Sequence, residues 1–310
     1  MYGNSVWDDI KWQFRYGTDL IKLILVNIAV FLLINLVQLV LFFAQKQGAF
    51  ELTHWLSLYA SFPKLAHQPW GILTYMFVHE SFWHILWNML GLYWFGQILQ
   101  DMIGKPKLLP LYLFGGIFGG LLYILFYNIF PVFNTVLGSA SCIGASAAVM
   151  AVVLAAATIA PNMELMLFLF GSVKIKWIAL VYVVLDIINI QNENAGGHIA
   201  HLGGALFGFI FIKQLQNGKD LSKPFYTVTD LFSGLFKKKP KLKVAHKKEY
   251  AFTSEQQHKG KVNTQKNTTY QDTVSKQERL DAILDKINRS SYDSLTKEEK
   301  DFLFKISQED

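Results

Sequence analysis

The chain has 310 residues, 52% of them hydrophobic and 15% aromatic, with a mean hydropathy of +0.26 and a formal net charge of +6. Its last third is polar, so the apolar residues concentrate in the first two thirds, which excludes an ordinary soluble domain and fits a membrane protein with aromatic belts. Much of the positive charge lies in a lysine-rich tail and no nucleic-acid recognition motif is present, so nucleic acid is set aside as a partner; the single cysteine, Cys142, excludes an internal disulfide framework.

Residues 1–19, with Lys11 and Arg15, read as a cytoplasmic or interfacial segment without a cleavable signal pattern. Residues 20–43 form a nearly continuous apolar run, broken by Lys22, Asn27, Asn35 and Gln38, that is long enough to span a bilayer. Residues 45–78, with Trp55, Tyr59, Phe62 and Trp70, read as a loop lying in the membrane interface with short helical pieces. A second span, 82–99, carries His84 and Asn88, and a charged turn with Lys105 and Lys107 follows. The third span, 108–130, holds Gly115, Gly116, Gly119 and Gly120, which read as packing residues that let helix backbones approach. The fourth, 144–160, opens on Gly144, Ala145 and Ser146. A connection with Glu164, Lys174 and Lys176 precedes a short fifth span, 177–190, that carries Asp186; the sixth, 198–212, opens with His198 and His201.

The expected fold is an all-α polytopic membrane protein: a six-transmembrane-helix bundle over 20–215, with a long interfacial first loop and a polar cytoplasmic tail. Within the tail, 216–276 reads as a basic, disordered linker whose lysine run at 237–243 favours anionic lipids. Residues 277–310 read as a small helical appendage of unknown partner. It has an apolar stripe of Leu280, Ile283, Leu284 and Ile287, and a capping box from Thr296 to Glu299. Six spans put both termini on one side, and the lysine bias makes that side cytoplasmic. The expected setting is a multi-pass protein of a bacterial cell (inner) membrane.

Alternate spans run in opposite directions, so the second, fourth and sixth enter from the same face. Each carries its unusual polar residues early, at similar depth: His84 and Asn88, then Ser146, then His198 and His201. Polar groups in the hydrocarbon layer are costly and tend to be functional. A buried hydroxyl becomes a nucleophile when a histidine accepts its proton, and the oxyanion that follows needs placed donors. Asn88 and His84, four apart on one helix face, could supply them, as could the backbone N–H of Ser146 near a helix N-terminus.

Trp87-Asn88-Met89-Leu90 after His79 and His84, then Gly144-Ala145-Ser146, then Ala200-His201 with Gly204 and Gly208, resemble the signature of rhomboid intramembrane serine proteases. The resemblance covers about residues 10–215. It implies Ser146 as nucleophile, His201 as general base of a dyad, His84 and Asn88 on the oxyanion side, and His79 as an accessory. It also implies single-span membrane proteins as substrates, cut in or near their transmembrane helices without metal, ATP or another cofactor. His198 is the competing base; the spacing of histidine and glycines favours His201 and leaves His198 at the outer rim. Gly144 and Met150 are accessory positions, Met150 standing where an aromatic residue often supports the histidine ring. Ala147 follows the serine where the family commonly has glycine, and Gly71 follows Trp70 where many members have arginine. Asp186 could orient a histidine as in a triad, but the resemblance implies a dyad, and the short fifth span puts Asp186 near the outer interface.

Two other readings compete with this one. A catalytically inactive rhomboid-like protein that binds membrane helices would typically lack Ser146 or His201, and both are present. An intramembrane metalloprotease would place two histidines on one helix face with a glutamate between them. Here His79 and His84 are five apart, about 140° around a helix.

Overall fold

The computed structural model describes residues 5–46, 51–167, 171–192, 194–236, 279–287 and 292–306. They fall into two compact units, 1–239 and 240–310.

In the first unit, α1 (Val6–Tyr16) is capped by Ser5 and α2 (Asp19–Phe43) by Thr18, whose side chain accepts the Ile21 N–H. Leu20, Leu23, Asn27 and Ile34 form the buried face of α2, while Leu32, Leu33, Leu36 and Phe43 point outward. Asn27, polar in an apolar run, donates to the Leu23 carbonyl at 2.8 Å and the Tyr112 hydroxyl at 3.3 Å. These bonds satisfy its NH₂ group, while its buried Oδ1 has no partner among the described residues.

The first loop contains α3 (Leu52–Leu56), β1 (Leu58–Tyr59), α4 (Phe62–His67) and α5 (Gly71–Thr74). Short helical pieces are present as expected, but the loop is more than an interfacial cover. Leu58, Ala60, Tyr75, Met76 and Val78 are fully buried. The Tyr75 hydroxyl donates to the Gly116 carbonyl at 2.6 Å, and the Tyr112 hydroxyl donates to the Met76 carbonyl at 3.0 Å. Aromatic residues with polar tips suit either a wet interface or a core with acceptors, and here the core takes Tyr59 and Tyr75 while Trp55 and Phe62 stay exposed. A Cβ on Gly71 would stand 2.4 Å from the Ser57 carbonyl oxygen, so the position after Trp70 has no room for a side chain.

Five further helices follow: α6 (Phe82–Ile103), α7 (Leu108–Ile129), α8 (Ser146–Ile159), α9 (Ile175–Asn189) and α10 (Ala195–Gln216). They match the expected spans to within about a turn at each end. Asp19–Phe43, Lys105–Ile129 and Ala195–Gln216 are long and apolar enough to cross a membrane, and Ser146–Ile159 is a shorter apolar helix. The chain is thus an all-α polytopic membrane protein; a count of six crossings goes beyond these three. Two small strand pairs were not expected. The first joins β1 to β2 (Ser141–Cys142), with Leu58 opposite Cys142, and ties the first loop to the segment before Ser146. The second is a hairpin of β3 (Glu164–Leu167) and β4 (Gly171–Lys174) between α8 and α9.

α8 is wedged between α7 and α10 through small residues. A Cβ on Gly115 would lie 2.3 Å from the Ala151 Cβ, and one on Gly119 would lie 2.5 Å from the Ala200 carbonyl oxygen. On α10, a Cβ at Gly204 would lie 1.9 Å from the Ala147 carbonyl oxygen, and one at Gly208 would lie 2.1 Å from that of Ala151. The packing role read for the α7 glycines is seen directly. Ala147, 1% exposed, belongs to this seam. Because backbone cannot yield as a side-chain tip does, Gly204→Val is expected to cost about 3 kcal/mol of stability. Denaturant unfolding in detergent checks this, and an unchanged midpoint would show that α8 and α10 part freely.

α9 turns Leu180, Val184, Ile187 and Ile188 outward and buries Ile175, Ala179 and Asp186. Beyond α10, the region expected to be a disordered linker contains α11 (Lys223–Phe236). Phe225 meets Phe114 with ring centroids 6.2 Å apart, and the Tyr226 hydroxyl donates to the Pro106 carbonyl. The lysine run 237–243 and the rest of the linker, through 276, lie outside the described residues.

The second unit contains two helices, α12 (279–287) and α13 (Lys297–Ile306). The capping box is present: the Thr296 N–H donates to Glu299 at 2.7 Å, and the Glu299 N–H donates to the Thr296 hydroxyl at 3.3 Å. Ile283 and Leu295 are buried, whereas Leu284 of the expected stripe is exposed. Hydrogen bonding from Lys286, then from the Thr296 backbone, holds the Glu299 carboxyl below its ordinary range. A lowered folded pKa stabilises above the unfolded value and is lost as pH falls through the folded one. Protection against amide exchange over 297–306 of the full chain, measured relative to the intrinsic rate at each pH, should therefore fall below about pH 4. Glu299→Gln should remove that dependence, and a pH response unchanged by the substitution would contradict it.

Candidate active site

The N-terminal ends of α6, α8 and α10 meet around a cavity of about 500 Å³. Its walls repeat at helical spacing: Trp83, His84, Trp87, Asn88 and Gly91 from α6; Ser146, Val149, Met150 and Val153 from α8; Gly197 and His201 from α10. Tyr182 of α9 closes one side. Local sequence explains where these helices begin. The Ser81 hydroxyl accepts the His84 N–H at 3.2 Å and starts α6. Asn194, in the left-handed conformation (φ 64°), accepts the Gly197 N–H at 3.1 Å and starts α10. Ser146 is the first residue of α8, where a backbone N–H has no intrahelical acceptor and forms part of the positive end of the helix dipole.

Gly144 holds this serine in place. Its N–H donates to the Tyr75 carbonyl at 2.9 Å, and its φ of +123° suits glycine alone. A Cβ there would stand 2.8 Å from the His84 Nε2 and 3.4 Å from the Ser146 Oγ.

The Ser146 Oγ is 2.7 Å from the His201 Nε2. The His201 Nδ1 is 2.9 Å from the Asp186 Oδ1, and the His198 Nδ1 is 2.7 Å from the same oxygen. Asp186 is 6% exposed, and its Oδ2 has no partner among the described residues. Of the two candidate bases it is His201 that reaches the serine, while His198 turns to Asp186. The three groups line up as Ser–His–Asp, with Asp186 of α9 buried against α10. With both Nδ1 atoms donating to a carboxylate that only accepts, the His201 Nε2 is left to take the serine proton.

His84 and Asn88 both reach the cavity. One Asn88 amide hydrogen is given to the His84 carbonyl at 2.8 Å, which leaves the amide a second donor. His79 sits behind them: its ring meets that of His84 at 5.1 Å and 72°, and its Nε2 accepts the Ala145 N–H at 3.5 Å. Met150 forms part of the same wall as His201, whereas Ala147 does not reach the cavity. Trp83, Val153 and Tyr182 were not singled out from the sequence, and Trp87 was read only as part of the Trp87–Leu90 motif. Helical spacing points to three of these: Trp87 lies three residues from His84 and four from Trp83, and Val153 seven from Ser146.

A family model described as the Rhomboid domain matches residues 66–216, the stretch that holds all of these side chains. The chain carries a rhomboid-family domain over this stretch. It is 31% identical over 159 residues to "RHOMBOID-like protein 12, mitochondrial" of Arabidopsis thaliana, covering 48% of this chain and 47% of that protein. It is 29% identical over 150 residues to "Rhomboid protein 1, mitochondrial" of Saccharomyces cerevisiae, covering 46% and 40%. It is also 31% identical over 140 residues to "Presenilin-associated rhomboid-like protein A, mitochondrial" of Danio rerio, covering 44% and 35%. The chain thus spans less than half the length of each of these relatives. Their shared compartment corrects the expectation of a bacterial cell membrane with cytoplasmic termini: the named rhomboid relatives are mitochondrial. Lysine bias reports sidedness, which every such membrane has, and not which membrane it is. Residues 263–309 match a second model, described as a family of unknown function.

Proposed function

We propose that this rhomboid is an intramembrane serine endopeptidase that cuts single-span membrane proteins in or near their transmembrane helix. The observation that carries the proposal is the 2.7 Å approach of the Ser146 Oγ to the His201 Nε2 inside a cavity at the N-terminus of α8. In this reading the Ser146 Oγ bonds to the scissile carbonyl carbon as its proton passes to the His201 Nε2. The carbonyl oxygen gains the negative charge and is met by the Ser146 N–H, the second Asn88 amide hydrogen and His84. The C–N bond then breaks and the amine leaves with the proton from His201; water, activated by the same base, releases the acyl group. Asp186 is a positioning residue for His201.

The test uses the full chain in liposomes with a single-span model substrate and a serine-directed phosphonate probe. Cleavage, with the probe bonded to Ser146 by mass spectrometry, is the expected result. A folded chain that neither cleaves nor takes the probe is instead a membrane-helix-binding relative. Cleavage lost to a chelator but indifferent to the probe would make it a metalloprotease. The names of the relatives bring a mitochondrial membrane to this chain as its proposed compartment, which fractionation of expressing cells would check.

A further inference from the structure

His198 has no part in the chemistry above: it does not reach Ser146, yet it binds the very oxygen that positions the base. We propose that His198, Asp186 and His201 form a site for a divalent transition-metal ion such as Zn²⁺, and that filling it silences Ser146.

Each of the three side chains offers one ligand atom, and these atoms all lie within 4.8 Å of one another. Two imidazoles and a carboxylate make a donor set that suits Zn²⁺, with the fourth tetrahedral position left to water. Such an ion, with bonds of about 2.0–2.1 Å, holds its ligands about 3.4 Å apart. The Asp186 contacts at 2.7 and 2.9 Å need only open slightly, and the remaining pair need only close. The second observation is independent of this spacing. Asp186 is 6% exposed and its Oδ2 has no hydrogen-bond partner among the described residues. A buried carboxylate oxygen without a donor is an uncompensated group, and an ion held by both Asp186 oxygens would give Oδ2 the partner it lacks.

The effect on the base follows from the tautomers. Without the ion, the His201 Nδ1–H points at Asp186 and the Nε2 lone pair faces Ser146. When Nδ1 gives its lone pair to the metal, its proton moves to Nε2. An Nε2–H can only donate to the Ser146 Oγ, so the hydroxyl proton has no acceptor. No electron is transferred and no proton is lost or gained overall.

The silencing half of the proposal rests on the serine-protease reading; the binding half does not. Zinc chloride is therefore titrated by calorimetry into tag-free, full-length Ser146→Ala protein in detergent, alone and with His198→Gln or Asp186→Asn added. One ion per chain is expected, with affinity weakened at least about ten-fold by either added substitution. Binding that is non-stoichiometric, or equal in all three proteins, overturns the site. Cleavage by the serine-containing chain is then followed as zinc rises, each protein scaled to its own metal-free rate. Inhibition that tracks occupancy, reverses with chelator and needs about ten-fold more zinc in His198→Gln supports the switch. Full activity at saturating zinc overturns it. If no cleavage occurs under any condition, the enzymatic reading has failed and the calorimetry still decides the site.

Discussion

Ser146→Ala and His201→Ala, alone or together, are expected to lower cleavage of a reconstituted single-span substrate to one common residual rate, roughly four to six orders of magnitude below the starting protein. The two groups are 2.7 Å apart and act through a single proton transfer, so removing either removes the whole step. Non-additivity is the signature: independent roles would multiply in the double variant, whereas a unit loses nothing further. What remains would come from the oxyanion donors and from holding the substrate in the cavity. Neither substitution adds an atom, and Ser146 sits at a helix start rather than inside the glycine seam, so helicity and unfolding midpoint should stay close to those of the unsubstituted chain. Full retention of cleavage in Ser146→Ala would sink the serine mechanism. Loss in His198→Ala with retention in His201→Ala would show that the imidazole beside Asp186, and not the one beside Ser146, is the base.

Much of this site is legible in the chain because long apolar runs declare their own boundaries. Counting antiparallel spans then places His84, Ser146 and His201 at one depth. Orientation about each helix axis is harder to read. Ala147, next to the serine, reads as part of the site, yet successive residues point about 100° apart on a helix, and its backbone carbonyl lies where a Gly204 side chain would go. Asp186 belongs to the face of α9 that also carries Ile175 and Ala179, at spacings of four and seven. In a helix apolar all round, nothing in the pattern says which face meets α10 and which meets lipid. The same ambiguity hides the burial of the first loop, whose aromatic residues suit an interface or a core. It also hides α11, which has lysine at its start and Phe225 placed against Phe114. The strand pair of Leu58 and Cys142 joins segments more than eighty residues apart, beyond the reach of local patterns.

Asp186→Asn should lower kcat by about two to four orders of magnitude with KM nearly unchanged, because the residue works through His201 rather than on the substrate. The carboxylate oxygen accepts from two Nδ1 atoms, at 2.7 and 2.9 Å. An amide of the same shape must put either its oxygen or its NH₂ there. With the oxygen, both rings keep their tautomers, but the charge that steadies the imidazolium is gone. With the NH₂, the rings must accept at Nδ1, the His201 proton moves to Nε2, and the base is blocked. Either outcome falls on the catalytic step. A purely packing role for Asp186 would rank the variants by shape, with isosteric Asn close to the original and longer Glu worse. A positioning role ranks them by charge, so Asp186→Glu should recover part of the rate that Asn loses. Steady-state cleavage by the two variants decides between the rankings. An Asn variant as fast as the unsubstituted chain would mean that Ser146 and His201 suffice as a pair, leaving Asp186 and His198 to whatever else their shared oxygen can bind.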